Sequence, residues 1–510
     1  MPSAIVTGAT GITGSAIVHH LCKDSSYDKI LSLSRKNPGY DSPKIQHATL
    51  DLQSSVEEMA KELQSIEAEY VFFCAYLARD DPAEATRVNA VMLSNFIQAL
   101  EKTGAIKRLK RFVLTAGFKH YGVHLGHCKQ PLQEDDLLLE KNTSGISWPP
   151  IFYYEQERIL SEAAGRGGWE WVVTLPEDVL GYARGNFMNE ATALGLYCAV
   201  SKVLPGSQLP YPGCKANYFA FNCWTSANLH AKFCLWAATA PRAGNNVFNV
   251  MNGDTESFQN LWPRLAERFG CRIPNPMFPG GGVPDSAGFG PYEATTVSMP
   301  NPHPLKVYED VIGVQAEGTP KLFLQVDPEK WAKRNDVNEA WSKLRNKYQL
   351  DQKAWEHATW DFLTFVLGRD WSCVGTMSKA RKLGWTGYAD TWDELVETFE
   401  VLEQEGVLPA ADRLKHALIC SEMDESHTGD AFGVLGSSIG IGSGKIIVWS
   451  IETYIVKVEG RLEQKESLKP VDGVSVPHYQ DGRETTSVDP GEALDTFKAK
   501  VDKWKDTTAT

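Results

Sequence analysis

The 510-residue chain has no Cys-x-x-C pair, no long uncharged hydrophobic run and no excess of positive charge. Its ten cysteines lack the spacing of zinc ligands, and we interpret them as reduced thiols that are mostly buried. Lysine and arginine total 51 against 64 acidic residues, a net charge of −13. Because phosphate backbones attract clustered cations, this balance argues against nucleic acid as the main partner.

The sequence predicts neither a membrane span nor a signal peptide. The longest apolar stretch, IGIGSGKIIVWSIETYIVKV, contains Lys445 and Glu452, so it fails as a span of about 20 uncharged residues. A strand predicted to start within the first few residues leaves no room for a signal peptide. We therefore expect a cytoplasmic protein that does not contact a membrane.

The first segment with a strong pattern is AIVTGATGITGSAIVHHL, which reads as strand, glycine turn and helix. Glycines at this spacing turn the chain sharply, admit a pyrophosphate to the backbone and let the helix pack closely on the sheet. The pattern predicts a dinucleotide-binding fold, and the alternative is an ordinary strand–helix turn. The residues expected to line the cofactor site here are Thr7, Gly8, Thr10, Gly11, Ile12 and Gly14.

The second predicted strand, KILSLSRK, ends in Ser34, Arg35 and Lys36, where an NAD-binding fold usually carries Asp or Glu. A guanidinium pairs with phosphate through two hydrogen bonds, so these residues favour the 2′-phosphate of NADP. A solvated basic turn is the alternative. After the third predicted strand, Asp51 and Leu52 lie where an adenine edge could be bound.

Strands and helices alternate from residue 4 to about 117. This order predicts an α/β fold with a Rossmann-like doubly wound parallel sheet. Ligands of such sheets bind at the carboxyl ends of the strands.

Tyr153 is not part of a Tyr-x-x-x-Lys pair, which is typical of short-chain reductases, because Glu157 stands four residues after it. Lys119 instead follows the fifth predicted strand, in TAGFKHYG, and Tyr153 begins a helix 34 residues later. Both could reach the nicotinamide from separate elements. Thr115 could hold a polar catalytic position or simply cap the strand end. Pro176 and Val179 follow a further strand and are expected to contact the cofactor through their backbone.

TAGFKHYG followed by FYYEQERIL resembles the progesterone 5β-reductase/iridoid synthase family of atypical extended short-chain dehydrogenases/reductases. Segments beginning at Tyr211, Val247 and Gly375 are similar as well, and the resemblance covers roughly residues 3 to 410. The chain departs from the family at Ile151, where an Asn is usual, and at the two residues before the glycine of the lysine loop.

The resemblance implies that Lys119 and Tyr153 are catalytic and that both also contact the cofactor. It implies NADPH-dependent 1,4-reduction of an activated C=C bond, in an enone or enal of a small apolar metabolite. A role in secondary metabolism is a weaker expectation. The alternatives are an NADP(H)-dependent ketone reductase or alcohol dehydrogenase, and a non-catalytic NADP-binding regulator. Retention of both residues argues against the regulator. No metal site is expected.

Three regions are expected along the chain. Residues 1–185 form the NADP-binding domain, and residues 186–420 form a smaller, mostly helical substrate lobe interleaved with late strands of the sheet. A Gly/Pro-rich insertion occupies about 274–304. Residues 421–510 form an extension of unknown role that is partly disordered. We expect a small-molecule substrate and allow for a homodimer.

Overall fold

The computed structural model describes residues 3–64, 66–141, 145–184, 189–278, 295–300, 302–316 and 318–415, and the backbone of five strands between residues 431 and 485. The chain divides into two compact units, Met1–Lys415 and His416–Thr510. The first unit contains all the predicted site residues.

The first unit is built on a seven-stranded parallel sheet. Its strands are β1 (Ser3–Thr7), β2 (Lys29–Ser34), β3 (Ile45–Thr49), β4 (Tyr70–Phe73), β5 (Arg111–Thr115), β6 (Glu170–Pro176) and a seventh strand, Asn246–Val250. The spatial order is β3-β2-β1-β4-β5-β6, followed by the seventh strand. The direction of winding reverses between β1 and β4, and ligands bind at such a reversal, beyond the carboxyl ends of the strands. The predicted fold class is confirmed.

Four helices connect the first six strands: α1 (Ile12–Lys23), α2 (Val56–Glu62), α3 (Pro82–Thr103) and α4 (Phe152–Gly167). Helix α1 packs against the later helix Ala227–Thr239, while α3 packs against both α2 and α4. Right-handed crossovers place these two groups on opposite faces of the sheet. The side chain of Asp81 accepts hydrogen bonds from the first turn of α3, and Gly104 ends that helix at a φ of 76°.

The rest of the first unit is mostly helical and carries its own hydrophobic core, in which Tyr197, Trp262 and Trp341 are buried. Its helices are Glu190–Val203, Lys215–Phe219, Phe258–Phe269, Glu309–Ile312, Pro328–Lys333, Asn335–Tyr348, Gln352–Glu356, Trp360–Gly368, Ser378–Lys382, Thr391–Gln404 and Ala411–Lys415. Two short strand pairs accompany them, Val179–Leu180 with Thr225–Ser226 and Thr295–Ser298 with Lys321–Leu324.

The second unit contains an antiparallel sheet of Ala431–Gly442, Lys445–Val458 and Arg461–Lys469, and a pair formed by His478–Gln480 and Arg483–Thr485. The remainder of the extension, including the part expected to be disordered, lies outside the described residues. Most of the predicted Gly/Pro-rich insertion, residues 279–294, lies outside them too. Among the helices that the structure describes, none combines the length and apolar character needed to cross a bilayer.

A buried carboxyl in the helical part makes stability depend on pH. The indole N–H of Trp224 donates to Glu190 Oε2 at 2.9 Å, and Glu190 is 2% exposed. Burial, together with the charge of Asp178, raises the pKa of Glu190 to about 8. Between the model-peptide pKa of 4.5 and this value, the folded protein holds a proton that the unfolded chain releases, so stability falls as pH rises.

Replacing Glu190 with glutamine removes this loss of stability at high pH, because an amide does not ionise. The amide oxygen can still accept the hydrogen bond from the Trp224 indole. We expect the variant to be more stable than the parent by about 2 kcal/mol at pH 9. The difference should be small near pH 5, grow up to pH 8 and stay constant above it. Denaturant unfolding at several pH values measures it, with the exposed Glu339→Gln as control. A difference that does not vary with pH would contradict this account.

Candidate functional site

The glycine turn after β1 has the geometry of an anion site. Gly8 has a φ of 65°, and a Cβ there would lie 2.9 Å from the Cys74 carbonyl oxygen. A Cβ on Gly14 would collide with the Gly8 carbonyl, so both positions require glycine. The N–H of Gly11 donates to the Gly8 carbonyl oxygen at 2.8 Å and closes the turn. No side chain caps the N-terminus of α1, which leaves its first N–H groups available to phosphate.

A cleft opens beside this turn, at the carboxyl ends of β1, β2 and β4. The predicted residues that line it are Thr7, Gly8, Thr10, Gly11, Ser34, Arg35, Asp51 and Leu52. Lys36, Ile12 and Gly14 are not part of the lining described. Ile12 instead packs with Ala183 and Ala227, and Val179 lies against the same small cluster. The turn after β1 therefore meets the segment after β6.

The predicted 2′-phosphate site is a tight loop. Ser34 Oγ donates to the Lys36 carbonyl oxygen at 2.7 Å, while Arg35 and Lys36 are exposed. Tyr40 Oη donates to the Ala9 carbonyl oxygen at 2.5 Å and holds the loop against the glycine turn. Burial raises the pKa of Tyr40 to about 12, so the phenol keeps the proton that makes this bond. Arg35 is the cation that this loop presents to the cleft.

The wall formed by residues after β4 was missed by the sequence reasoning. Cys74, Ala75, Tyr76 and Leu77 line the cleft together with Gln53 and Met92. The buried amide of Asn89 fixes this wall, accepting from the Leu77 N–H and donating to the Leu77 carbonyl oxygen, both at 2.8 Å. The four residues 74–77 follow the carboxyl end of β4, a central strand, and this position is the signal that could have identified them.

Lys119 lies on a rigid turn. The turn Phe118–Tyr121 directly follows β5, and Tyr154 Oη donates to the His120 carbonyl oxygen at 2.5 Å. Tyr121 Oη donates to Asn249 Oδ1 at 2.6 Å, and the His120 ring packs edge-on against Tyr121 and Tyr154. These contacts of Tyr154, His120 and Tyr121 support the turn, and Lys119 itself is exposed.

Tyr153 reaches the base of the same turn from the first turn of α4. A Cβ built on Gly117 would lie 3.3 Å from Tyr153 Oη and 3.4 Å from the Pro176 carbonyl oxygen. The phenol, the end of β6 and the start of the lysine turn therefore converge at Gly117, which sequence reasoning did not single out. Within the described part of the chain, no hydrogen bond joins Tyr153 to Lys119.

The electrostatics keep a proton on Tyr153. Burial, with a smaller contribution from Tyr76, raises the pKa of the Tyr153 phenol. Partial burial of the Lys119 ammonium lowers its pKa, although part of the side chain stays exposed. The negative charge of Asp361 acts in the opposite direction and raises the pKa. Burial and the Lys119 charge lower the pKa of His124 to about 3, so His124 is neutral. The site therefore holds a neutral phenol that can donate a hydrogen bond, and the neighbouring turn carries the ammonium of Lys119.

Thr115, the last residue of β5, is half-buried, and its Oγ1 lies 3.6 Å from the Cys74 sulfur. This contact places Thr115 between the cleft wall and the lysine turn. It is compatible with both earlier interpretations of Thr115, a polar site residue and a strand-end cap.

Comparisons with known proteins show the family of the chain. A family model described as a PRISE-like Rossmann-fold domain matches residues 4–287. An uncharacterised protein of Schizosaccharomyces pombe is 35% identical over 410 residues, covering 80% of this chain and 98% of that protein. A short chain dehydrogenase of Penicillium aethiopicum is 28% identical over 420 residues, which cover 80% of this chain and 99% of that protein.

An (S)-8-oxocitronellyl enol synthase of Nepeta cataria is 30% identical over 280 residues, which cover 52% of this chain and 68% of that protein. The family model extends over more than half of the chain, and the glycine turn, the lysine turn and the helix of Tyr153 all lie within it. The chain therefore belongs to the PRISE-like family, whose members are extended short-chain dehydrogenases/reductases.

Proposed function

We propose that the chain is an NADPH-dependent reductase that delivers hydride to the β-carbon of an enone or enal in a small apolar metabolite. The observation that carries the proposal is the convergence of Tyr153 Oη, the Pro176 carbonyl and the lysine turn at Gly117. Similarity to an enol synthase of Nepeta cataria supports a reductive reaction of this kind. A cytoplasmic location, a homodimer and a role in secondary metabolism belong to the same proposal.

The residues present fit NADPH. The bare N-terminus of α1 and the turn at Gly8 would hold the pyrophosphate, and Arg35 would pair with the 2′-phosphate. The Pro176–Val179 segment and Gly117 would border the nicotinamide. The cofactor supplies the hydride when it is bound.

Tyr153 acts on the substrate carbonyl. Hydride addition at the β-carbon moves negative charge onto the carbonyl oxygen, and a hydrogen bond from the neutral phenol stabilises that charge where it develops. The ammonium of Lys119, on the turn that follows Gly117, would orient the nicotinamide ribose. The raised pKa of Tyr153 suits this role, because the group must hold its proton at neutral pH.

A second candidate is reduction of a saturated ketone. The same phenol would then act as a general acid and transfer its proton to the carbonyl oxygen. Burial raises the pKa of Tyr153, so the phenol keeps the proton that this reaction also requires.

The test is incubation of the purified protein with NADPH and a panel of small enals, enones and saturated ketones. Cofactor oxidation is followed by absorbance, and products are identified by mass and NMR. We expect saturated carbonyl products from the enals or enones. Alcohols formed from the ketones would replace the proposal with the second candidate. Tight NADPH binding without turnover of any compound would contradict both and favour a regulator.

A further inference from the structure

A buried arginine contacts the segment that borders the nicotinamide side of the site. Arg369 follows the helix Trp360–Gly368 and is 1% exposed. Its Nη2 donates to Asp178 Oδ2 at 2.9 Å, and its Nη1 lies 3.8 Å from Glu177 Oε1. Nη2 also lies 3.3 Å from Asn222 Oδ1. One guanidinium thus joins the helical part of the unit to the two residues that follow β6.

Those two residues are continuous with the site. Pro176, whose carbonyl oxygen lies beside Gly117, directly precedes Glu177, and Val179 directly follows Asp178. The backbone is anchored at Thr225, because the Glu177 N–H donates to Thr225 Oγ1 at 2.9 Å and the Thr225 N–H donates to the Asp178 carbonyl oxygen at 3.3 Å. Arg369 holds the side chains of the same segment.

Stability alone is a poor explanation for this cluster. A buried ion pair recovers little more than the cost of removing its charges from water, and apolar side chains often replace one without loss. The cluster is also incompletely bonded, since Arg369 Nε, Glu177 Oε2 and Asn222 Nδ2 lack hydrogen-bond partners within the described part of the chain. Buried polar groups of this kind are better explained by a requirement for one fixed geometry.

We propose that Arg369 is a positioning residue, which holds residues 176–179 through Asp178 and Glu177 so that the nicotinamide end of the cofactor lies against Tyr153. The inference rests on the proposed function, because it assumes NADPH in the cleft. It assigns Arg369 no contact with substrate or cofactor.

The test distinguishes binding of the nicotinamide end of the cofactor from binding of its adenosine end. Dissociation constants are measured by calorimetry for NADPH and for adenosine 2′,5′-bisphosphate, which has the adenosine phosphates but no nicotinamide. Arg369→Met is expected to weaken NADPH binding roughly tenfold and to leave the bisphosphate unchanged. Arg369→Lys, which keeps a charge for Asp178, should restore part of the loss. Asp178→Asn should resemble Arg369→Met.

Arg268→Met is the matched control. Like Arg369, Arg268 lies over a phenylalanine ring and pairs with an acid, the half-buried Glu403, at 2.7 Å, but its described contacts include no predicted site residue. It should change neither dissociation constant. Equal weakening of both ligands in Arg369→Met would show a purely structural role, and no change in either would also overturn the inference. A parent protein that binds neither ligand would instead overturn the proposed function.

Discussion

Replacing Tyr153 with phenylalanine is expected to lower kcat by a factor of about 100 to 10,000, while NADPH binding is retained. The change removes only the hydroxyl that lies beside Gly117 and the Pro176 carbonyl. Without it, no phenol proton stabilises the charge that develops on the carbonyl oxygen. Steady-state kinetics with the best enal or enone of the panel, together with NADPH titration, measures both quantities.

Tyr154→Phe is the control for this prediction. Tyr154 Oη donates to the His120 carbonyl oxygen, so its loss should cost about 1–3 kcal/mol of stability and leave turnover largely intact in the folded protein. If Tyr154→Phe abolished turnover and Tyr153→Phe did not, the assignment of the two tyrosines would be reversed.

Replacing Arg35 with alanine should weaken NADPH binding by about 10- to 100-fold and leave NADH binding unchanged. Arg35 is exposed at the cleft, and a 2′-phosphate there would lose a charge-assisted pair of hydrogen bonds. Lys36→Ala should have a smaller effect, because Lys36 is outside the cleft lining. Fluorescence titration with NADPH and with NADH gives the ratio of the two dissociation constants.

Arg242→Ala serves as the control, since this exposed arginine lies just before the seventh strand, at the opposite edge of the parallel sheet. Equal losses for NADPH and NADH in Arg35→Ala, or a parent protein that prefers NADH, would support the alternative of a solvated basic turn.

Most of the sheet follows from local patterns. Apart from the more polar β3, the strands β1 to β6 are mostly short apolar runs, and the alternation of strands and helices then predicts a parallel sheet wound in two directions. The glycine turn was predictable from its spacing after a strand. The structure gives the physical reason at two positions, because a Cβ at Gly8 or Gly14 would collide with neighbouring backbone. The cleft lining at Arg35, Asp51 and Leu52 follows from their places after β2 and β3.

Other parts of the site depend on contacts between distant segments. Gly117 is constrained by Tyr153 and Pro176, which come from α4 and the end of β6, so no local pattern marks it. Arg369 lies almost 200 residues after its partner Asp178 and looks like an ordinary charged residue in the sequence. Lys36 is not part of the cleft lining described, and its carbonyl oxygen accepts a hydrogen bond from Ser34 Oγ.

The central claim is that hydride goes to the β-carbon of an activated double bond. The most direct test uses NADPH carrying deuterium at the transferred position, with an enal substrate and NMR of the product. We predict deuterium at the β-carbon of a saturated aldehyde, and far less of the same labelled aldehyde from Tyr153→Phe in the same time. Deuterium at the carbonyl carbon of an alcohol would contradict the claim and identify a carbonyl reductase.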